Sequence, residues 1–326
     1  MSNLPRRSAV ALVVLLGCGC AGEHDGPATR HVQVGSSTSL EVVDWGGRGI
    51  PIVLLAGLGH TAHVFDELAP ALTDTYHVMG ITRRGFGASS QPDSGYDLAT
   101  LIDDIRIVMD SLGIERAVLA GHSLGGDEMT RFARAYRDRV AALVYIDAAY
   151  DRTSSRDSMA AYVVPSSEIA PPTQNDTESA DAYRAFYARV NGVTMPLSEI
   201  RAMFRWTPEG RFDGPVTPSW IYGRILGSLE DPDYRGIDAP ALAIYATDYP
   251  LTELFMDYAT RDSATRRAMR AYHAASLRTA ARSRDHFRTA MSRGRVVEIP
   301  GAGHSLYITH AKQVLEAVRG FLGAMP

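Results

Sequence analysis

The chain has 326 residues, 45% of them hydrophobic and 21% charged, an ordinary globular composition with length for one large domain or two small ones. Its net charge of -4 and the lack of a basic stripe argue against a polyanionic partner such as nucleic acid. Both cysteines, Cys18 and Cys20, lie near the N-terminus, which excludes cysteine catalysis, thiolate metal sites and internal disulfides from the folded body.

Arg6 and Arg7 precede the apolar run Ala9 to Leu16, too short to span a bilayer, which is the pattern of an export signal over residues 1–20. The run ends in Leu15-Leu16-Gly17-Cys18, which resembles a bacterial lipobox; this implies a lipidated Cys18 and attachment to a membrane. An ordinary signal peptide, releasing a periplasmic or secreted protein, and an uncleaved anchor are the competing readings. Residues 21–30, rich in Gly, Pro and charge, read as a tether.

From His31 to Trp45 two short alternating runs read as an antiparallel hairpin. Pro51 to Ala56 is a continuous apolar run, as expected of a strand buried on both faces, and it ends in Gly57-Leu58-Gly59. A helix is expected from about Val64 to Leu72, a strand over Tyr76 to Ile81, then the loop Arg83 to Ser89 and a helix over roughly Leu98 to Leu112. Ala117 to Ala120 and Val140 to Ile146 are further buried strands, the second closed by Asp147. Later come a strand over Ala241 to Tyr245, a long helical stretch from about Glu253 to Met291, a strand over Arg295 to Ile299 and a closing helix over Ala311 to Leu322. Strands alternating with helices imply an α/β fold, a mostly parallel sheet with helices on both faces.

The stretch that carries chemistry is Gly121-His122-Ser123-Leu124-Gly125-Gly126, between the strand at Ala117 and a helix-compatible run over Asp127 to Tyr136. A strand that turns at once into a helix forces its apex residue into a strained backbone conformation with the side chain projecting outward, and only small neighbours tolerate that turn. G-x-S-x-G in this context reads as a nucleophile elbow. The amide of Leu124, at the helix start, points where an oxyanion would form.

Four motifs in this order, Gly57-Leu58-Gly59, Arg84 to Ser89, the elbow, and Pro300-Gly301-Ala302-Gly303-His304, resemble the α/β-hydrolase fold family from about Val32 to the C-terminus, with one insertion. The resemblance implies a core of residues 31–147 and 238–326, and a largely helical cap or lid over residues 148–237 that shapes the substrate pocket. Met203, Phe204, Trp206, Trp220, Ile221 and Tyr222 give that insertion apolar bulk, for its own small core or for substrate contact.

A serine hydroxyl needs a base, and His304, in a Gly-rich loop after the last strand, is the candidate. His122 is expected to point away from the apex, and His60 and His63 to serve loop packing or line the pocket. The third partner is a carboxylate that orients the imidazole, and the chain order Ser, acid, His points to Asp248 after the next-to-last strand. There the sequence departs from the family: Ala246 replaces a glycine and Asp248 comes one residue early. Asp147 is the alternative acid. The backbone amides of Leu58 and Leu124 are the expected oxyanion hole. No metal cluster, phosphate loop or dinucleotide glycine signature is present, so no cofactor is implied.

The sequence therefore points to a serine hydrolase acting on a small-molecule carboxylic ester or lactone through an acyl-enzyme. Ser123 at the apex argues against the epoxide- and halide-cleaving members, which carry aspartate there. Peptidase, carbon-carbon hydrolase and acyltransferase chemistry stay open, as does a ligand-binding protein with little turnover.

Overall fold

The computed structural model describes residues 26–151 and 170–325; Cys18, the leader and the first half of the tether expected over 21–30 lie outside them. The tether is shorter than its composition suggests, because the first strand already begins at Ala28.

Eight strands form one sheet in the order β1-β2-β4-β3-β5-β6-β9-β10. These are β1 (Ala28–Gln33), β2 (Ser39–Gly46), β3 (Pro51–Leu55), β4 (His77–Ile81), β5 (Ala117–His122), β6 (Val140–Ile146), β9 (Ala241–Thr247) and β10 (Gly294–Pro300). β1 and β2 pair antiparallel, and β2 joins β4 antiparallel. Every pairing from β4 to β10 is parallel. Residues of β5 and β9 are buried throughout, as expected of central strands covered on both faces.

Alternate residues of each strand feed two separate cores. Val53, Leu55, Leu119, Leu143 and Tyr245 face helix α1 (Leu98–Ser111), helix α2 (Leu124–Ala135) and Phe287 of the long helix Ser263–Ala290. Ile52, Leu54, Val118, Val144 and Ile244 face Phe65, Leu72 and the closing helix Ala311–Leu322 through Val314 and Val318. The helix expected over Val64 to Leu72 is instead two 3-10 turns, Ala62–Phe65 and Ala69–Leu72. Pro70, at the start of the second turn, has no amide to continue a helix from the first. The long stretch from Glu253 is likewise divided into a short helix, Leu251–Leu254, and the helix Ser263–Ala290, which Asp262 caps by accepting from Ala264 N and Thr265 N.

Between β6 and β9 the described part of the insertion holds helices Ala180–Asn191, Leu197–Met203 and Ser219–Gly227, and a two-stranded ribbon, β7 (Phe204–Trp206) with β8 (Phe212–Pro215). Tyr183 stacks on Phe212 at 4.0 Å, and Phe204 and Trp206 pack around the pair. Trp206 thus belongs to the insertion's own core, while Trp220 is 45% exposed with its edge against Tyr96. Thr217 Oγ1 donates to Gly85 O and Gln91 Nε2 to Val216 O, joining the insertion to the loop after β4.

His63 lies between two carboxylates: Nδ1 is 3.0 Å from Asp66 Oδ2 and Nε2 is 3.3 Å from Glu41 Oε1. Burial by itself lowers the imidazole pKa, but hydrogen bonds and charge from Asp66 and Glu41 outweigh it and push His63 up to about 10. Glu41, although buried, is correspondingly lowered by His63 and Thr82. A histidine protonated more readily in the folded than in the unfolded state stabilises the protein fully below about pH 6.5, and that contribution is lost as pH rises toward 10. His63→Gln should therefore lower the melting temperature most near pH 6, with the gap to the parent closing by pH 10; a gap independent of pH would refute the charged cluster.

Candidate active site

The elbow explains its glycines. A Cβ at Gly121 would stand 2.5 Å from the carbonyl carbon of Gly125, one at Gly125 would stand 2.4 Å from Leu55 O, and one at Gly126 would stand 2.6 Å from Ala148 Cβ. No side chain fits these positions, so α2 can start directly from the end of β5, and Ser123 takes up the turn with φ 50° and ψ -115°. The expected loop after β3 lies against this apex: a Cβ at Gly57 would be 3.3 Å from Ser123 Cβ and 2.7 Å from His122 Nδ1. Leu58, the next residue, packs with Leu124 in a small apolar cluster with Phe86, Ile221 and Ile225. The two residues expected to supply oxyanion donors are thus brought together beside Ser123, with the insertion helix Ser219–Gly227 over them.

His304 follows β10 in its Gly-rich loop, with its side chain about half exposed. Its Nδ1 is 2.6 Å from Oδ2 of Asp147. The carboxylate paired with His304 is thus Asp147, the alternative read from the sequence, and not Asp248. Asp147 closes β6 with its amide on Ile244 O, and its other oxygen, Oδ1, accepts from Ala246 N at 2.8 Å and from the Tyr150 hydroxyl at 2.7 Å. The carboxylate is 3% exposed and fully hydrogen-bonded, the condition under which a buried charge is tolerated. Burial, reinforced by the Asp147 charge, holds the Tyr150 phenol protonated well above its ordinary range, so it remains a donor. Asp248 is exposed in a left-handed turn at φ 51°, one residue past the end of the β9–β10 pairing. The glycine replaced by Ala246 and the early carboxylate therefore mark a loop that does not carry the acid to the histidine.

His122, expected to point away from the apex, holds the histidine loop. Its Nε2 donates to His304 O at 3.0 Å, and its ring lies 4.5 Å from that of His304 and 4.6 Å from that of Tyr307. His304 N donates to Glu253 Oε1 at 3.0 Å, so His304 is fixed at its amide, its carbonyl and its ring. With Nδ1 committed to Asp147, Nε2 is the nitrogen left to take up a proton. A cavity of about 240 Å³ opens beside the pair, lined by Asp147, Tyr150, Tyr249, Glu253 and His304.

Beneath the Gly57 loop the Arg83 guanidinium is buried. It pairs with Glu128 of α2 through Nε and Nη2, at 2.5 and 2.7 Å, and donates from Nη2 to Ala56 O at 2.8 Å. Glu128, although it lies in the first turns of the elbow helix, is thus an internal ligand for arginine. His60, assigned to packing or pocket lining, faces Glu199 of the insertion with Nδ1 at 2.9 Å. Neither pairing has a local sequence signal, because the partners are 45 and 139 residues apart. Among the described residues no three His, Cys, Asp or Glu side chains are grouped to hold a metal ion, and no helix is long and apolar enough to cross a membrane.

The profile described as alpha/beta hydrolase fold matches residues 50–190. A non-heme chloroperoxidase from Streptomyces lividans is 37% identical over 245 residues, covering 67% of this chain and 81% of its own. The chain belongs to the α/β-hydrolase fold family. A 2-(acetamidomethylene)succinate hydrolase from Mesorhizobium japonicum is 26% identical over 300 residues, 91% of this chain and 95% of its own. The crystal structure of an E-2-(acetamidomethylene)succinate hydrolase superposes with a TM-score of 0.66 over 91% of this chain and all of that one, at 24% identity. In this α/β-hydrolase the described sheet order and parallel pairings agree with the fold expected from the motifs, and relatives of these kinds support a hydrolase activity.

The geometry predicts a signature independent of turnover. A proton on His304 Nδ1 held between nitrogen and a buried carboxylate should give a far-downfield proton resonance. It should vanish in Asp147→Asn, whose amide faces the ring with a donor, and persist in Asp248→Asn; the reverse pattern would return the acid to the later strand.

Proposed function

We propose that this α/β-hydrolase is a serine hydrolase that cleaves carboxylic esters or lactones through an acyl-enzyme, with Ser123 as nucleophile, His304 as base and Asp147 as the orienting acid. The observation that carries the proposal is the 2.6 Å contact of His304 Nδ1 with a buried, triply hydrogen-bonded Asp147, across the strand ends from a serine in a strained elbow. Such a contact fixes the imidazole tautomer that accepts a proton at Nε2 and stabilises the imidazolium that results.

In the proposed reaction Ser123 Oγ attacks the ester carbonyl carbon as its proton passes to His304 Nε2, and the carbonyl π pair moves onto oxygen. The Leu58 and Leu124 amides stabilise that oxyanion. Collapse expels the alkoxide, which takes the proton from His304, leaving the acyl-enzyme; water activated by the same histidine releases the acid. The segment over 148–237 acts as the cap, and the cluster of Ile221 and Ile225 over Leu58 and Leu124 supports this reading. The substrate class named for the Mesorhizobium relative, an acetamidomethylene-substituted succinate, is one candidate to include in a substrate panel.

Burst release from a p-nitrophenyl ester and labelling by a fluorophosphonate test the proposal together. Ser123→Ala should lose both while remaining folded, and turnover within about tenfold of the parent would overturn the nucleophile. Asp147→Asn should lower kcat by about 10⁴, the scale seen when a serine-protease triad loses its orienting carboxylate, whereas Asp248→Asn should stay within a factor of about two. Equal losses in the two variants would refute Asp147 as the acid.

We further propose that the export pattern ending at Cys18 makes the protein a membrane-attached bacterial lipoprotein. Cys18→Ser should release it from the membrane fraction, and an unmodified mature N-terminus at another residue would refute the lipid.

A further inference from the structure

Glu199 is an acidic side chain with no exposure at all, in a helix of the insertion, and burial of a carboxylate is costly unless it is paired. Among the described residues its hydrogen-bond partners, His60 and Thr61, lie on the single loop that follows β3. Oε1 accepts from Thr61 N at 3.0 Å and lies 2.9 Å from His60 Nδ1, and Oε2 accepts from the Thr61 hydroxyl at 2.5 Å. The same hydroxyl oxygen accepts from His63 N at 3.2 Å, capping the 3-10 turn Ala62–Phe65. His60 N closes a turn onto Gly57 O at 3.2 Å. Leu58 therefore sits inside the six-residue loop Ala56 to Thr61, whose far end is pinned by a carboxylate of the insertion. Its near end is pinned by Arg83, which donates to Ala56 O and is itself held by Glu128 of the elbow helix.

Resting on the serine-hydrolase reading, we infer that Glu199 is a positioning residue through which the seating of the insertion sets the Leu58 oxyanion donor. Glu199 touches no reacting atom. It fixes Thr61, and through the short turn Gly57–His60 it fixes the direction in which the Leu58 amide points. A donor aimed at an oxyanion gains most of its value from being in place beforehand, and a misplacement of about 1 Å costs on the order of a hundredfold. Substrates that seat the insertion well are then turned over with a formed oxyanion hole, and substrates that displace it lose kcat as well as affinity.

The test uses a trifluoromethyl ketone, which binds by addition. Ser123 Oγ bonds to the ketone carbon, the carbonyl π pair moves onto oxygen and the serine proton goes to His304, so affinity reports the oxyanion hole. In Glu199→Gln, which keeps the volume but replaces one acceptor by a donor, kcat should fall about tenfold to a hundredfold with little change in KM, and the ketone inhibition constant should rise by the same factor. Thr61→Val, which removes the hydroxyl partner, should show the same parallel loss and stands in if Glu199→Gln does not fold. Ketone affinity unchanged in Glu199→Gln or Thr61→Val would overturn the inference while leaving the acyl-enzyme intact. A parent enzyme that ignores the ketone would overturn the acyl-enzyme reading, and this inference with it.

Discussion

Three contacts of backbone with backbone or Cβ, each closer than any side chain allows, govern the geometry of this molecule. They lie where β5 turns into α2, at Gly121, Gly125 and Gly126 against Gly125, Leu55 and Ala148. Because α2 starts without an intervening loop, Ser123 has no choice but the strained apex, Leu124 becomes the first residue of a helix, and the end of β3 lies directly against the turn. Substituting any of the three would push α2 off the sheet, and with it Glu128, the anchor for Arg83 and hence for the loop that carries Leu58. The geometry of the site is thus a consequence of helix-to-sheet distance, which the glycines set.

What could be read from the sequence follows how local its cause is. The elbow, the parallel strands and the histidine loop rest on residues within a few positions of one another, and their patterns are visible in the chain. Between the two carboxylates left open by the sequence, the rule of a carboxylate after the next-to-last strand favours Asp248, although it stands a residue early, whereas the partner of His304 is Asp147. What brings Asp147 to His304 is a left-handed turn at φ 44° together with the Ala246 amide and the Tyr150 hydroxyl. Composition carries no trace of those contacts. The helix expected from Val64 failed for a readable reason, Pro70, which was outweighed by apolar spacing. His122, Glu199 and Arg83 could not have been assigned, since each takes its meaning from a partner distant in sequence.

The loop after β3 is where the separate parts of the molecule meet. From the sheet side an arginine reaches its carbonyls, from the insertion a carboxylate reaches its amide and hydroxyl, and the elbow crowds it so closely that only glycine fits at 57. The charged His63 cluster continues the same construction one turn further on, tying Glu41 of β2 and Asp66 into the base of the loop. Such buried ionic groups hold position well but tolerate loss badly, because removing one partner leaves an uncompensated charge worth about 3–5 kcal/mol.

Ser123, Asp147, Ala149 and Asp248 share one property: each is a non-glycine residue in left-handed backbone, at φ 50°, 44°, 62° and 51°, just beyond the carboxyl ends of β5, β6 and β9. Residues held so cost on the order of 1–3 kcal/mol each, against a total stability of about 5–15 kcal/mol for a typical domain. Heat tolerance and turnover therefore compete for the same few peptide units. Selection for thermal endurance alone would act first on this rim, which is also where Ser123 and Asp147 stand.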